Sequence, residues 1–215
     1  MSLQMIPKSK TTIAIIVAHP DDETLWAGGT ILQHPSWKIF IACLCRKNDK
    51  GRASRFYKTL NFFKAEGTMG DLDDEPDQLP LEEIVIKQTI LKLLPNKQYD
   101  LVITHDPSGE YTRHLRHEEI SKAVITLWGA NKMKANELWT FAYEDGDKKY
   151  YPMPIKTATI QQKLSDSVWR KKYNIINKIY GFKKNTWEAK TTPKNEAFWQ
   201  FKNTRDANSW LTKYE

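Results

Sequence analysis

Four of the five histidines fall in two short polar clusters. The first is Ala18-His19-Pro20-Asp21-Asp22-Glu23. The second runs Thr104-His105-Asp106-Pro107-Ser108-Gly109-Glu110-Tyr111-Thr112-Arg113-His114-Leu115-Arg116-His117. A catalytic zinc site needs three protein ligands from His and Asp/Glu, with one position left for water. His19 and Asp22 are three apart on a turn, and one more histidine from the second cluster would complete a two-His, one-carboxylate set. Those ligands suit Zn²⁺ and can also hold Fe²⁺. The carboxylate left over, Asp21, would be free to act as general base, and the leftover histidine to stabilise an oxyanion. His114 and His117, three apart at a helix start, can share one face. Plainer readings compete. A single histidine at a strand end is more often a hydrogen-bonded surface residue, and His34 in Gln33-His34-Pro35 is read that way. Asp-Asp-Glu after a strand can simply cap the next helix. Two such clusters, each at a strand end, favour a metal site.

The elements that must position these residues are legible. Thr12 to Val17 is an apolar, β-branched run that reads as a buried strand ending at the first cluster. Asp100 to His105 is a second strand, ending at the second cluster. In an open parallel sheet, ligands bind beyond the carboxyl ends of strands. Between the two, Thr24–Gln33 reads as a helix, Lys38–Cys45 as strand two and Arg52–Glu66 as a helix with Phe56, Leu60 and Phe63 on one face. Gly28-Gly29 marks a place for close backbone packing. Asp71–Asp77, five acids in seven residues, reads as a solvated loop rather than a metal site. Leu81–Leu94 and Glu118–Trp128 read as helices and Leu138–Tyr143 as a strand. Strands alternating with helices predict an α/β, Rossmann-like fold: a mostly parallel sheet with helices on both faces.

The chain has 215 residues, 40% of them apolar, and a formal charge of +7. No segment approaches the ~20 apolar residues of a membrane span. Residues 147–215 carry 15 basic and 6 acidic residues and 12 of the 25 aromatics, whereas residues 1–146 are net −2. The expectation is a core over 1–146 and a basic, aromatic-rich C-terminal extension over 147–215 packed on it. In that extension Gln161–Tyr180 reads as a helix, closed by Gly181 as its C′ residue. Met1-Ser2-Leu3 ahead of Met5 reads as an expression remnant. Cys43 and Cys45, in strand two, are read as facing opposite sides of the sheet. A mutual disulfide is therefore not expected, and a reducing, cytoplasmic setting is.

At the two clusters the sequence resembles the PIG-L/LmbE family of zinc-dependent N-acetylglucosaminyl deacetylases. His19-Pro20-Asp21-Asp22-Glu23 matches that family's signature. Gly109-Glu110-Tyr111 followed by His114-Leu115-Arg116-His117 resembles its Gly-Glu-Tyr-Gly-His-Pro-x-His segment more loosely: Thr112-Arg113 stands for one glycine and Leu115 for proline. The resemblance covers roughly residues 10–145. It implies that His19, Asp22 and His117 hold the metal, that Asp21 is the general base, and that His114 stabilises the oxyanion when protonated. It also implies that Tyr111 is a mobile aromatic beside the site and that Arg55, with Arg52 as rival, holds the substrate. The family's Arg is followed three residues later by Glu; here Lys58 follows Arg55.

The function this implies is metal-dependent removal of an N-acetyl group from an N-acetylglucosamine-type conjugate. Acetate and a free amine result. The implied partner is a small-molecule amino-sugar conjugate, and a homo-oligomer is compatible with it. Two alternatives come from other classes. A Rossmann-like nucleotide-binding protein lacks its glycine fingerprint here, where Ala18-His19-Pro20-Asp21 stands. A nucleic-acid or polyanion binder would use basic charge interleaved with Trp and Tyr after residue 147. Amphipathic elements with Trp faces on the core and lysines outside explain that composition more simply.

Overall fold

The computed structural model of the chain describes residues 11–75, 77 and 79–214, so the Met1-Ser2-Leu3 start lies outside the described residues. β1 (Thr12–Val17) is an interior strand of the sheet. It pairs in parallel with β2 (Lys38–Cys45) on one side and β4 (Leu101–Thr104) on the other. β3 (Glu66–Leu72) extends the sheet beyond β2, and β5 (Leu138–Phe141) extends it beyond β4, both in parallel. The chain thus winds outward from β1 to β3 and then returns to start again at β4. That reversal opens a crevice beyond the carboxyl ends of β1 and β4, where such sheets bind ligands. His19 and His105 follow those two strand ends.

β1 is apolar from Ile13 onward because both faces of the sheet are covered. Ile13, Ile15 and Val17 meet one layer, with Leu25 and Trp26 of α1 (Asp22–Gln33) and Phe56 of α2 (Lys50–Phe63). Ala14 and Ile16 meet the other, with Ile86 and Ile90 of α3 (Glu83–Leu93) and Ile120 and Val124 of α4 (Leu115–Gly129). Cys43 and Cys45 are both buried and free and belong to opposite layers. Strict alternation would put residues two apart on one face. The register with β3 shifts between them, and this irregularity sends Cys45 to the other side.

β3 is a strand that the sequence does not announce, because its glycines read against one. They are there for closeness: a Cβ on Gly67 would lie 2.4 Å from the Ile41 carbonyl oxygen, and one on Gly70 2.8 Å from that of Leu44. The helix before it stops early, at Phe63, where Lys64 takes a left-handed conformation.

The C-terminal residues supply part of the sheet as well as packing on it. A short ribbon of β6 (Tyr143–Glu144) and β7 (Met153–Pro154) leads to β8 (Ile160–Lys163). β8 pairs antiparallel with β9 (Asn195–Phe201), which pairs antiparallel with β5, giving seven strands in the order β3-β2-β1-β4-β5-β9-β8. The helix expected over Gln161–Tyr180 is therefore shorter. Its first residues are drawn into β8, and α5 (Asp166–Asn174) starts where the Ser165 hydroxyl accepts the Val168 amide. A π-helical turn, Ile175–Ile179, continues α5, and Gly181 follows with φ 80°. α6 (Trp187–Thr191) precedes β9, and α7 (Thr204–Leu211) closes the chain against α4.

The acidic stretch 71–77 is not simply solvated. Asp74 is buried on the Arg46 guanidinium, and the fully buried Arg116 of α4 holds the Asp73 and Leu79 carbonyls.

Candidate active site

Pro20 and Asp21 turn the chain from β1 into α1. Asp21 has φ 122° and ψ −27°, a conformation costing about 1–3 kcal/mol for a residue with a Cβ. Its surroundings hold it there. Its carbonyl starts the helix by accepting the Leu25 amide at 2.7 Å. Its own amide donates to Glu23 Oε2 at 3.1 Å, and Arg52 donates to its Oδ1 at 3.0 Å and to the Pro20 carbonyl at 3.3 Å. The buried Glu23 also accepts the Tyr180 hydroxyl at 2.7 Å, which ties the C-terminal region to the motif. Its pKa rises to about 7 through burial.

This turn brings Asp22 Oδ2 within 3.2 Å of His19 Nδ1 and 3.4 Å of His117 Nε2, with 3.2 Å between the two nitrogens. Ligands about 2.0–2.1 Å from a tetrahedral metal stand about 3.3 Å apart. The three atoms therefore form one face of such a tetrahedron. The outer nitrogens are oriented by carboxylates, as metal-bound imidazoles usually are. His117 Nδ1 meets Glu110 Oε2 at 2.6 Å, and His19 Nε2 meets Asp74 Oδ1 at 3.0 Å. The charges suit a cation too. Despite burial, His117 and His19 hold the Asp22 carboxyl well below its usual range. Burial would lower the His117 pKa, but the Asp22 and Glu110 carboxylates on either side raise it to about 10. A proton on this ring puts positive charge where a metal would. The donor set fits a divalent metal.

His105 is stacked on His117 at 3.8 Å and contributes to another group of close donors, with Asp22 and His117. Its Nε2, however, accepts the Ala18 amide at 3.0 Å while its Nδ1 donates to Glu110. It buttresses His117 and Glu110. The two imidazoles hold the Glu110 carboxyl down to about 2 against its burial.

His19, Asp21, Asp22, Tyr111 and His114 line a single cavity of about 290 Å³ together with Leu25, Arg46, Arg52 and Trp187. Burial and the electrostatic repulsion of Asp22, opposed by Arg52, push the Asp21 pKa well above the usual carboxylate range. Burial and the neighbouring His117 and His19 take His114 down to about 3. The resemblance implies a protonated ring at the oxyanion; burial and the neighbouring imidazoles favour its neutral form here, and its Nδ1 is buried without a hydrogen-bond partner among the described residues. Tyr111 stands edge-on to His114 and His117 at 5.6 Å.

Arg55 is elsewhere. It is exposed and lies over Gly181, 3.6 Å from where a Cβ would be, while Arg52, one turn earlier, reaches the site. Asp74, Arg46, Trp187 and Glu188 also line the cavity and were not singled out in the sequence. The acidic run around Asp74 was the one available signal. A larger cavity of about 530 Å³, lined by Glu118, Glu144, Asp145 and Tyr214, shares Tyr111 with the first and contains no histidine.

Comparisons with known proteins bear on the fold and the family. The structure is similar to N,N'-diacetylchitobiose deacetylase from Pyrococcus horikoshii, with a TM-score of 0.65 at 16% identity over 94% of this chain and 88% of that one. It is also similar to GalB, the 4-carboxy-2-hydroxymuconate hydratase from Pseudomonas putida KT2440, with a TM-score of 0.61 at 14% identity over 88% and 95%. The fold therefore serves more than one chemistry. In sequence, the chain is 26% identical over 176 residues to the uncharacterized protein L374 of Acanthamoeba polyphaga mimivirus, 75% of each. The family model for GlcNAc-PI de-N-acetylase, PIG-L, matches residues 14–128, from β1 through the two clusters and α4. With more than half of its length matched, and both clusters inside the match, the chain belongs to the PIG-L family.

Proposed function

We propose that the protein is a zinc-dependent N-deacetylase that hydrolyses the acetamide of an N-acetylglucosamine-type conjugate. The observation that carries this reading is the donor triangle of His19, Asp22 and His117 beside a second, buried carboxyl on Asp21. Fe²⁺ would suit the same three atoms. Bound there, a divalent metal would lower the pKa of a water and polarise the acetyl carbonyl. Asp21 is the general base, and its raised pKa brings it closer to the working pH of a proton acceptor. It takes the proton as the water oxygen adds to the carbonyl carbon. Arg52 favours the ionised form of that carboxyl and aims it. His114 donates a ring N–H to the oxyanion. The C–N bond then breaks, and Asp21 returns the proton to the leaving amine nitrogen.

The test is acetate release from a panel of N-acetylglucosamine conjugates, with metal content measured on the same preparation. Acetate together with about one zinc per chain is expected. Protein that binds no divalent metal at neutral pH would overturn the reading.

A further inference from the structure

Part of the wall of the cavity comes from beyond the stretch that the family model matches. Trp187 and Glu188 are the first residues of α6, whereas the family match ends at residue 128. A built connection delivers them. Tyr180 is tied to Glu23, Asn177 Nδ2 holds the Phe182 carbonyl at 2.7 Å, and Thr186 caps α6 by accepting the Ala189 amide. Trp187 stands edge-on to Tyr111 at 4.7 Å and to Trp26 at 6.5 Å, which fixes the plane of its ring. It nevertheless remains 36% exposed, at the cavity. Glu188 is half-buried beside it, and no described side chain pairs with its carboxylate.

An indole face next to an unpaired carboxylate suits one chemistry well. A pyranose ring has an apolar C–H face that stacks on an aromatic, and a rim of hydroxyls that donate to a carboxylate. The rest of the cavity disfavours an anionic group. The charge of Arg46 is already balanced by Asp74 and that of Arg52 by Asp21, while Glu75 and Glu188 add negative charge. We propose that Trp187 and Glu188 form the sugar-recognition wall, and that the ring carrying the acetamide is an uncharged hexopyranose stacked on Trp187 with hydroxyls donating to Glu188. This rests on the deacetylase reading for the position of the acetamide.

The experiment compares the zinc-loaded full-length protein with its Trp187→Ala, Trp187→Phe and Glu188→Gln variants. Thermal melts establish that each is folded. Kd for N-acetylglucosamine is measured by calorimetry. KM and kcat are measured by acetate release from N-acetylglucosamine, from its 6-phosphate and from N-acetylethanolamine, which has no ring. Trp187→Ala should raise Kd and KM for N-acetylglucosamine roughly tenfold, as loss of an aromatic contact does. Its kcat should change little, and Trp187→Phe should restore most of the loss. Glu188→Gln should raise KM for N-acetylglucosamine and improve relative use of the 6-phosphate. For the ringless amide, kcat/KM should be the same in all four proteins. Equal losses on the ringless amide, or an unchanged Kd in Trp187→Ala, would overturn the proposal while leaving the deacetylase standing. Sugar binding that depends on Trp187 without any acetate release would overturn the deacetylase and support the wall.

Discussion

At the scale of single residues, the proposed reaction gives the two adjacent acids different work. Asp22 points into the donor triangle, and Asp21, turned away by its φ of 122°, faces Arg52. Asp22→Ala removes a charged donor, so zinc content should fall steeply. Asp21→Asn keeps the size of the side chain but cannot accept a proton. It should keep zinc while kcat drops by roughly 10²–10⁴. Mass spectrometry and kcat on the same preparations separate the two. The arginines divide as sharply. The positive charge of Arg52 favours the ionised form of Asp21 against burial and Asp22. Without it the carboxyl pKa rises further, and the base must be ionised to act. The ascending limb of the pH–rate profile should therefore move to higher pH in Arg52→Ala. In Arg55→Ala, whose side chain lies over Gly181, the limb should stay where it is.

At the scale of elements, α1 is held against the outer strands by a buried ion pair. Lys172 of α5 donates to Glu196 of β9 at 2.7 Å, and both are fully buried. Glu196 also accepts the amides of Gly29 and Thr30 at 2.7 and 2.6 Å. Gly29 makes the approach possible, because a Cβ there would meet Leu164 at 2.4 Å. Glu196→Ala leaves a buried ammonium unpaired, so urea denaturation at pH 7 should show a loss of about 3–5 kcal/mol. The pH dependence has a definite sign. Burial lowers the Lys172 pKa and Glu196 opposes it, so the variant's lysine has a folded pKa depressed further below its unfolded value. Between those values the unfolded chain holds the extra proton, and stability rises with pH. The deficit should shrink from pH 7 to pH 9.

At the scale of the whole molecule, the C-terminal residues complete a layer that the family-matched part begins. β9 covers the edge of β5, Tyr180 satisfies Glu23, and Trp210 of α7 donates to Asp106 at 3.1 Å beyond the end of β4. A chain cut to residues 1–146 exposes that strand edge and leaves Glu23 without its tyrosine. Exposed edges promote association between chains. The truncated protein should therefore elute as aggregate in size-exclusion chromatography and lose its near-ultraviolet circular dichroism, while the full chain keeps both properties native. Among the described residues, no helix is long and apolar enough to cross a membrane.

The parallel strands β1, β2 and β4 were legible because each is a continuous apolar run ending in polar residues, a pattern local in sequence. The same locality exposed two clusters, one with His19, Asp21 and Asp22 and one with His105, His114 and His117; the choice among the histidines came from the family resemblance. What depended on distant partners was not legible. β3 is a strand because its glycines admit the backbone of β2, and β8 is a strand because β9 lies beside it. Arg52 rather than Arg55 reaches Asp21 because only the first turn of α2 comes up to the end of β1. Asp74 looked like one acid in a solvated run until Arg46 and His19 enclosed it. A local sequence sets side-chain chemistry and strand periodicity. Which nitrogen faces which oxygen is set by packing between segments almost a hundred residues apart, as in the contact between His19 and His117, and only the tertiary structure decides that.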